Sequence, residues 1–268
     1  MSDADRSTSS SWPATAVVPF IAAPMKYGAM VTFQESPAAA QAQPSDAWKV
    51  TVVPYLMGAA MSGTTAVAGQ ELDLDMSASD IFSNLQFGAM GLVVARKGNW
   101  GVGGDAIWMS LGANGTAPGP VGVTGSADVS QGAFAFYGLR RLAPYADVFF
   151  GGRINYLSTN LRINGPLQVR SVDGSKTWFD PIVGLQLRTP ENGKRWHAQV
   201  YTEIGGFGVG STFMWQVFPT IGVNLGKQAS LEFGYRWLDI DYESGENTTL
   251  FKYDVLTQGP VLGFGFRF

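Results

Sequence analysis

From Trp48 onward, apolar and polar residues alternate with a period of two, in stretches of about ten to fourteen residues separated by turn-forming residues. Ten stretches can be traced, at roughly 48–61, 85–96, 100–111, 127–140, 145–157, 177–188, 195–207, 212–225, 230–241 and 257–268. Such alternation puts successive side chains on opposite faces of a strand. In the ninth stretch Leu231, Phe233, Tyr235 and Trp237 share one face, while Glu232, Gly234, Arg236 and Leu238 share the other. The last stretch repeats this, with Leu262, Phe264, Phe266 and Phe268 against Val261, Gly263, Gly265 and Arg267. A helical period is absent from all ten. The short run "SASDIFSNL" between the first two predicts one or two helical turns capped by Ser79.

The connections differ by side. "KGN" (97–99), "RLAP" (141–144), "TPENGK" (189–194) and "GKQA" (226–229) read as tight turns, whereas 62–84, 112–126, 158–176 and 242–256 read as long loops; the second set has one short member, "GVGS" at 208–211. Short turns on one side, longer loops on the other and an even strand count match an outer-membrane barrel, whose strands need about 9–11 residues to span. The expected fold is therefore all-β: a closed, antiparallel, up-and-down transmembrane β-barrel of about ten strands over residues 47–268, with eight or twelve as alternatives. Pro181 lies inside a strand near the outer rim, where a ladder can end or bulge; Pro54 and Pro219 either count against ten regular strands or mark bulges.

Composition narrows the chemistry. The 268 residues include no cysteine, which excludes disulfides, thiolate metal sites and cysteine nucleophiles. A net charge of −3 without a basic run gives no nucleic-acid partner. No uninterrupted apolar run is long enough for a membrane-spanning helix, and a closed barrel is the other way to satisfy every backbone group in lipid.

An arginine on the lipid face at mid-bilayer costs about 2–4 kcal/mol, so strand charges should gather on the lumen face. Parity assigns Arg140, Arg153, Asp180, Arg188, Glu203, Glu232, Arg236 and Arg267 to the lumen, with Arg96, Asp105 and Asp147 less firmly phased. A soluble barrel of opposite polarity would expose these same charges to water. Strand length and the aromatics favour the membrane. Trp48, Trp100, Trp196 and Phe268 fall at the short-turn end, Trp178 and Trp237 toward the long loops, as two interfacial girdles require. The long loops and adjoining strand tips are acidic, with Asp73, Asp75, Asp239, Asp241, Glu243 and Asp254 among their carboxylates.

Candidate catalytic chemistry is sparse. His197 is the sole histidine, sits near the short-turn end, and reads as a hydrogen-bonded lumen residue with Glu203 as one available partner. Asp239 and Asp241 share a face but read as a strand tip extending into water. "DLDMSASD" lacks the spacing of a calcium loop, and "GGFGVG" precedes a strand rather than the helix of a nucleotide site. No catalytic residue, metal or cofactor is expected, and the chain is expected not to be an enzyme. Residues 1–46 form a separate N-terminal segment. Its Ala40 and Ala42 resemble a secretory cleavage site, although Asp3, Asp5, Pro19 and Pro24 interrupt the leader, and a disordered tail is the alternative.

A terminal aromatic on a final amphipathic strand resembles the signal read by the barrel-assembly machinery of Gram-negative bacteria. The blocks "WKVTVVPYLMGAAMSG", "SDIFSNLQFGAMGLVVARKGNWGVGGDAIWMSL", "WFDPIVGLQLR", "GGFGVGSTFMWQ" and "FGYRWLDIDYESG" resemble, in order, an uncharacterised family of proteobacterial outer-membrane β-barrel proteins. The resemblance implies the fold, an outer-membrane location and assembly through Phe268, and brings no activity or ligand. Together these readings predict a monomeric barrel among outer-membrane lipid and lipopolysaccharide. Its expected role is structural or that of a small passive pore for ions or small solutes; the alternative is a surface interaction protein working through its acidic outer loops, with an outer-rim hydrolase a remoter third reading.

Overall fold

A computed structural model describes residues 47–67, 70–117, 123–164, 169–190 and 194–268. The N-terminal segment with Ala40 and Ala42 lies outside the described residues. The chain is a closed antiparallel barrel whose wall has ten staves. The first stave is divided into β1 (Lys49–Met57) and β2 (Ala60–Val67), and both halves run along the last strand, β12 (Phe251–Arg267). Between them β4 (Leu85–Lys97), β5 (Trp100–Ala117), β6 (Val123–Ala143), β7 (Ala146–Asn164), β8 (Val169–Arg188), β9 (Trp196–Gly205), β10 (Phe213–Asn224) and β11 (Ala229–Ser244) pair in chain order. A short strand, β3 (Gln70–Met76), pairs among the described residues with β2 alone, and a helix of about two turns, α1 (Ala78–Asn84), links it to β4. The seam closes through Phe268, whose N–H donates to the Val50 carbonyl at 2.9 Å while Val50 N–H donates back at 3.1 Å.

The first stave, β5 to β8, β11 and β12 extend beyond the amphipathic stretches that announce them, mostly on the long-loop side, whereas β9 and β10 stop just inside theirs. Segments 62–84, 112–126, 158–176 and 242–256, expected as loops, are largely strand. Each strand end left unpaired would leave donors and acceptors to water, and neighbours of equal length satisfy one another instead. The heights are unequal. β6 has 21 residues and β8 has 20, but β9 has 10 and β10 has 12. A tilted strand gains about 2.6 Å of height per residue, so β6 is roughly 55 Å tall against an apolar band of about 25 Å.

The prolines do not make bulges. Pro181 faces Gly152 in an unbroken β7–β8 register. Pro54 ends the β1–β4 ladder opposite Gly91, and at Pro219 the β10–β11 ladder loses two pairs and resumes in the same register. On its other side Pro181 lies one residue before the β8–β9 ladder begins at Ile182, so each proline has one flank on which the ladder ends or skips. The helix also begins earlier than expected: Ser77, not Ser79, is its N-cap, in a capping box with Asp80.

The wall separates two environments. Phe134, Phe136, Phe150, Ile154, Leu185, Leu187, Ile221, Phe233, Leu262, Phe264 and Phe266 are exposed on the outward face, while the inward face of the wall carries Asp105, Asp147, Arg153, Asp180, Glu203 and Arg236 into a buried interior. A soluble barrel would show the opposite polarity. An apolar outer belt over a charged core is stable only in lipid, and the protein is a bacterial outer-membrane barrel.

Candidate functional site

The lumen is filled in tiers. Nearest the short turns, Asp147 is fully buried on β7 and takes Arg96 from β4, Arg188 from β8 and, at 3.6 Å, Arg141 from β6. Three guanidiniums on one carboxylate leave two positive charges in excess, partly eased by the Gln186 oxygen, which accepts from Arg96 at 2.7 Å. Beside this cluster, His197 Nε2 lies 2.9 and 3.1 Å from the two Glu232 oxygens, and Ser230 donates to Glu232 at 2.6 Å. His197 thus pairs with Glu232 rather than Glu203, because the two flank Gly222 on either side of β10 and the missing side chain lets them meet across it. Arg267 donates to the Asn224 oxygen at 2.7 Å.

The middle tier crosses the barrel. Arg153 is fully buried and pairs with Glu203, whose other oxygen accepts from Tyr201 at 2.6 Å. Across from it, Arg236 donates to Asp105 and to the Tyr55 hydroxyl, each at 2.7 Å, and Tyr55 donates onward to Asp105 at 2.7 Å. The Arg236 guanidinium also lies over the rings of Phe218, at 4.5 Å, and Tyr55, at 5.2 Å. Tyr137, Phe149 and Tyr201 fill the remaining cross-section, Phe149 stacking on Tyr201 at 4.6 Å. A cavity of about 10 Å³ lies between Asp105, Tyr201, Gln216 and Arg236. That is about one water's room, too little for a hydrated ion.

Above this level Asp180 accepts from Asn155, the Ser211 hydroxyl and the Ser211 N–H, at 2.7, 2.8 and 2.6 Å. Ser211 belongs to the low β9–β10 turn, in which Gly206, Phe207 and Gly208 all have positive φ. Trp178, expected in the outer girdle, is instead inside. Its indole N–H donates to Ser211 Oγ at 2.9 Å and its ring stacks on Tyr242 at 4.2 Å, drawing β8 and β11 together over the low turn. Trp178 and Asp180 are two residues apart and share a face, so the lumen position of one fixes the other. Arg140 is likewise displaced from the lumen: it lies outside over the Trp100 ring at 4.8 Å, and its neighbour Arg141 faces inward.

Of the sequence-predicted lumen charges, Arg153, Asp180, Arg188, Glu203, Glu232, Arg236 and Arg267 all have their side chains in these inner contacts. Trp48, Trp100, Trp196 and Phe268 are exposed at the short-turn end, and Trp237 is half-buried on the outward face against Tyr235 at 4.4 Å. Tyr55, Asn155, Ser211 and Gln216 complete the network. Period-two parity puts Gln216 on the polar face of its strand and would have reached Asn155 too; Ser211 is brought in only by the fold of its turn.

At the outer rim Asp241 on β11 stands directly opposite Asp254 on β12, with Asp239 two residues below. Partial burial, then Asp254, push the Asp241 carboxyl above its ordinary value of 3.8. Burial, then Asp254 and Asp241, do the same for Asp239. A carboxyl raised on folding opposes folding once ionised, so the strain is absent below pH 3.8 and complete above the raised value. Asp241→Asn should therefore slow amide exchange across the β11–β12 tip at neutral pH. The advantage over the parent should shrink on acidification and vanish below pH 3.8.

No family model and no curated protein matches the chain. Among solved structures it is similar to Ail, the attachment invasion locus protein of Yersinia pestis, at 15% identity over 83% of this chain and 99% of that one, with a TM-score of 0.35. It is similar to the translocator domain of the autotransporter NalP from Neisseria meningitidis at 12% identity, over 82% of this chain and 88% of that one, with a TM-score of 0.43. The toluene transporter TodX of P. putida is a further similar structure, at 9% identity over 84% of this chain and 91% of that one, with a TM-score of 0.30.

Proposed function

We propose that this protein is a non-conducting outer-membrane barrel that presents an acidic rim to a cationic macromolecule outside the cell. The observation that carries the reading is the disparity of strand lengths. β9 is just long enough to span, whereas β6, β7 and β8 have 21, 19 and 20 residues, twice what the bilayer uses. Paired strand built beyond the membrane is rigid surface and needs no such height for anchoring. The filled middle tier speaks against transport, because a path would have to separate buried Arg–carboxylate pairs.

The rim's charge points to the partner's sign. Asp128, Asp173, Asp239, Asp241, Glu243 and Asp254 stand on the tall strands, with Lys252 close to Asp254 at 3.9 Å. Opposite charge would steer a basic partner to this surface and make its capture salt-dependent.

Two measurements on the full chain test the reading. In a planar bilayer the expected trace is silent, and discrete openings would overturn the closed-lumen half. In nanodiscs of zwitterionic phosphatidylcholine, poly-L-lysine should bind, and Asp239→Asn/Asp241→Asn/Asp254→Asn should weaken binding by about tenfold at low salt. Equal binding by the parent and the triple variant would overturn the rim half.

A further inference from the structure

The barrel wall is not closed everywhere. The β1–β4 ladder runs from Lys49 and Arg96 up to Pro54 and Gly91 and stops there. Beyond that point the first stave bends at Gly58 and Ala59 and continues as β2 along β12, with β3 on its other side. The upper part of β4, Leu85 to Met90, pairs with β5 alone. A wedge is left between the two halves of the wall, and α1 lies in it. Its Ile81 is buried, while Phe82 is exposed and sits across the bend, its ring 3.8 Å from where a Cβ on Gly58 would be.

Under α1 is an apolar cavity of about 50 Å³. Its lining crosses the wall. Leu56 is 64% exposed on the outward face and Met57 is 6% exposed on the inward face, yet both line the same cavity. Ile81 and Met109 bound it from the inside, Phe82 and Leu85 from the outside. Adjacent residues of a strand point to opposite sides of a sheet, so they can share one cavity only where the wall is breached. The Trp237↔Gln258 pair lies just above Pro260, whose carbonyl accepts the Gly58 N–H. The breach therefore sits at the height of the outer aromatic belt, where the acyl chains of the outer leaflet begin.

We infer that this breach is a binding site for the acyl chain of a membrane lipid, which enters from the outer leaflet between α1 and β4 and ends against Met57 and Met109. The surroundings select the occupant. No charged side chain lines the cavity, and an apolar cavity of this kind excludes water. Hydrocarbon is the solvent at its mouth. Transfer from lipid brings no hydrophobic gain, and the drive is the dispersion contact that an empty void forgoes. Met57, Met90 and Met109 are unbranched and adaptable, suited to a chain of variable shape.

The test places the full chain in phosphatidylcholine vesicles in which a minor fraction of the lipid carries a diazirine at the end of one acyl chain. Adducts are mapped by mass spectrometry after irradiation. Val102, outward on β5, reports ordinary contact with the bilayer; Met109, inward on the same strand and 5% exposed, can be reached only through the breach. The expected result is labelling of both. Gly88→Leu should fill the cavity, since a Cβ there meets only Leu85 side-chain carbons at 3.6 and 3.7 Å within the closest contacts before the Trp108 carbonyl oxygen at 3.9 Å. Met109 labelling should then fall about fivefold or more while Val102 is unchanged. Labelling of Val102 alone in the parent would overturn the inference, and this comparison stands whether or not the variant folds. Met109 labelling that persists in a folded Gly88→Leu barrel would overturn it too. So would labelling of Met109 by a free fatty acid bearing the same group but not by the esterified lipid.

Discussion

Replacing Arg236 by alanine should lower the stability of the barrel by about 3–5 kcal/mol, because Asp105 is left buried and unpaired. Arg236 is 2% exposed and its contacts come from three staves: Asp105 on β5, Tyr55 on β1 and Phe218 on β10. Its loss removes a cross-brace as well as a charge. The measurement is urea-induced unfolding in lipid vesicles, followed by tryptophan fluorescence. The loss is due mainly to the stranded carboxylate, so Arg236→Met together with Asp105→Leu should recover most of it. Equal destabilisation in the double variant would show instead that packing against Phe218 and Tyr55 is the dominant contribution.

Asp147→Ala should be at least as damaging and should not be rescued by the same device. Arg96, Arg141 and Arg188 converge on this carboxylate, and without it three cations share a confined mouth with Gln186 as their neutral acceptor. A loss of about 3–5 kcal/mol is expected. Asp147→Asn keeps the shape and should fall nearly as far, since the charge is what holds the three guanidiniums. A second change that removes one arginine, such as Arg188→Met, should restore part of the loss in the Asp147→Asn background. High salt should do the same for the more exposed Arg141 contact, and for it more than for the others.

The parts of the fold that lipid touches were legible, because the bilayer imposes the period-two contrast that a reader can see. Phe233 against Glu232, or Phe266 against Arg267, leaves no doubt about which face is which. Above the belt both faces meet water or one another, the contrast disappears, and β5 to β8 continue unseen for many residues. One signal there was present and absorbed into a loop: "ELDLDM" alternates cleanly, and it is β3, with Glu71, Asp73 and Asp75 exposed. Trp178 shows a conflict between two rules. Its height along the strand argued for the girdle, its parity with Asp180 argued for the lumen, and parity prevailed because a strand cannot turn one side chain around. The partners of the buried charges were less accessible. Which of five carboxylates an arginine meets depends on stagger around the barrel, and Arg153 reaches Glu203 two staves away rather than Asp180 directly opposite. The breach beside α1 has no period at all; it follows from a ladder ending at Pro54.

The seam between Val50 and Phe268 also determines the order in which the barrel can form. Every other pair of neighbouring staves is a hairpin in sequence, closed by a few residues or by one short excursion. The seam joins Thr51 to Arg267, nearly the whole length of the folded part. Loop closure costs about 0.6 kcal/mol more for each doubling of the intervening chain, and long-range pairing is correspondingly slow. The nine hairpins can zip in any order, but until the last pairing is made the sheet has two raw edges, and the charged tiers have only part of their partners. Closure is thus the step at which Arg236 first meets Tyr55 and Asp105 together, so the buried ion pairs act as the latch of a curling sheet as well as the filling of a finished one.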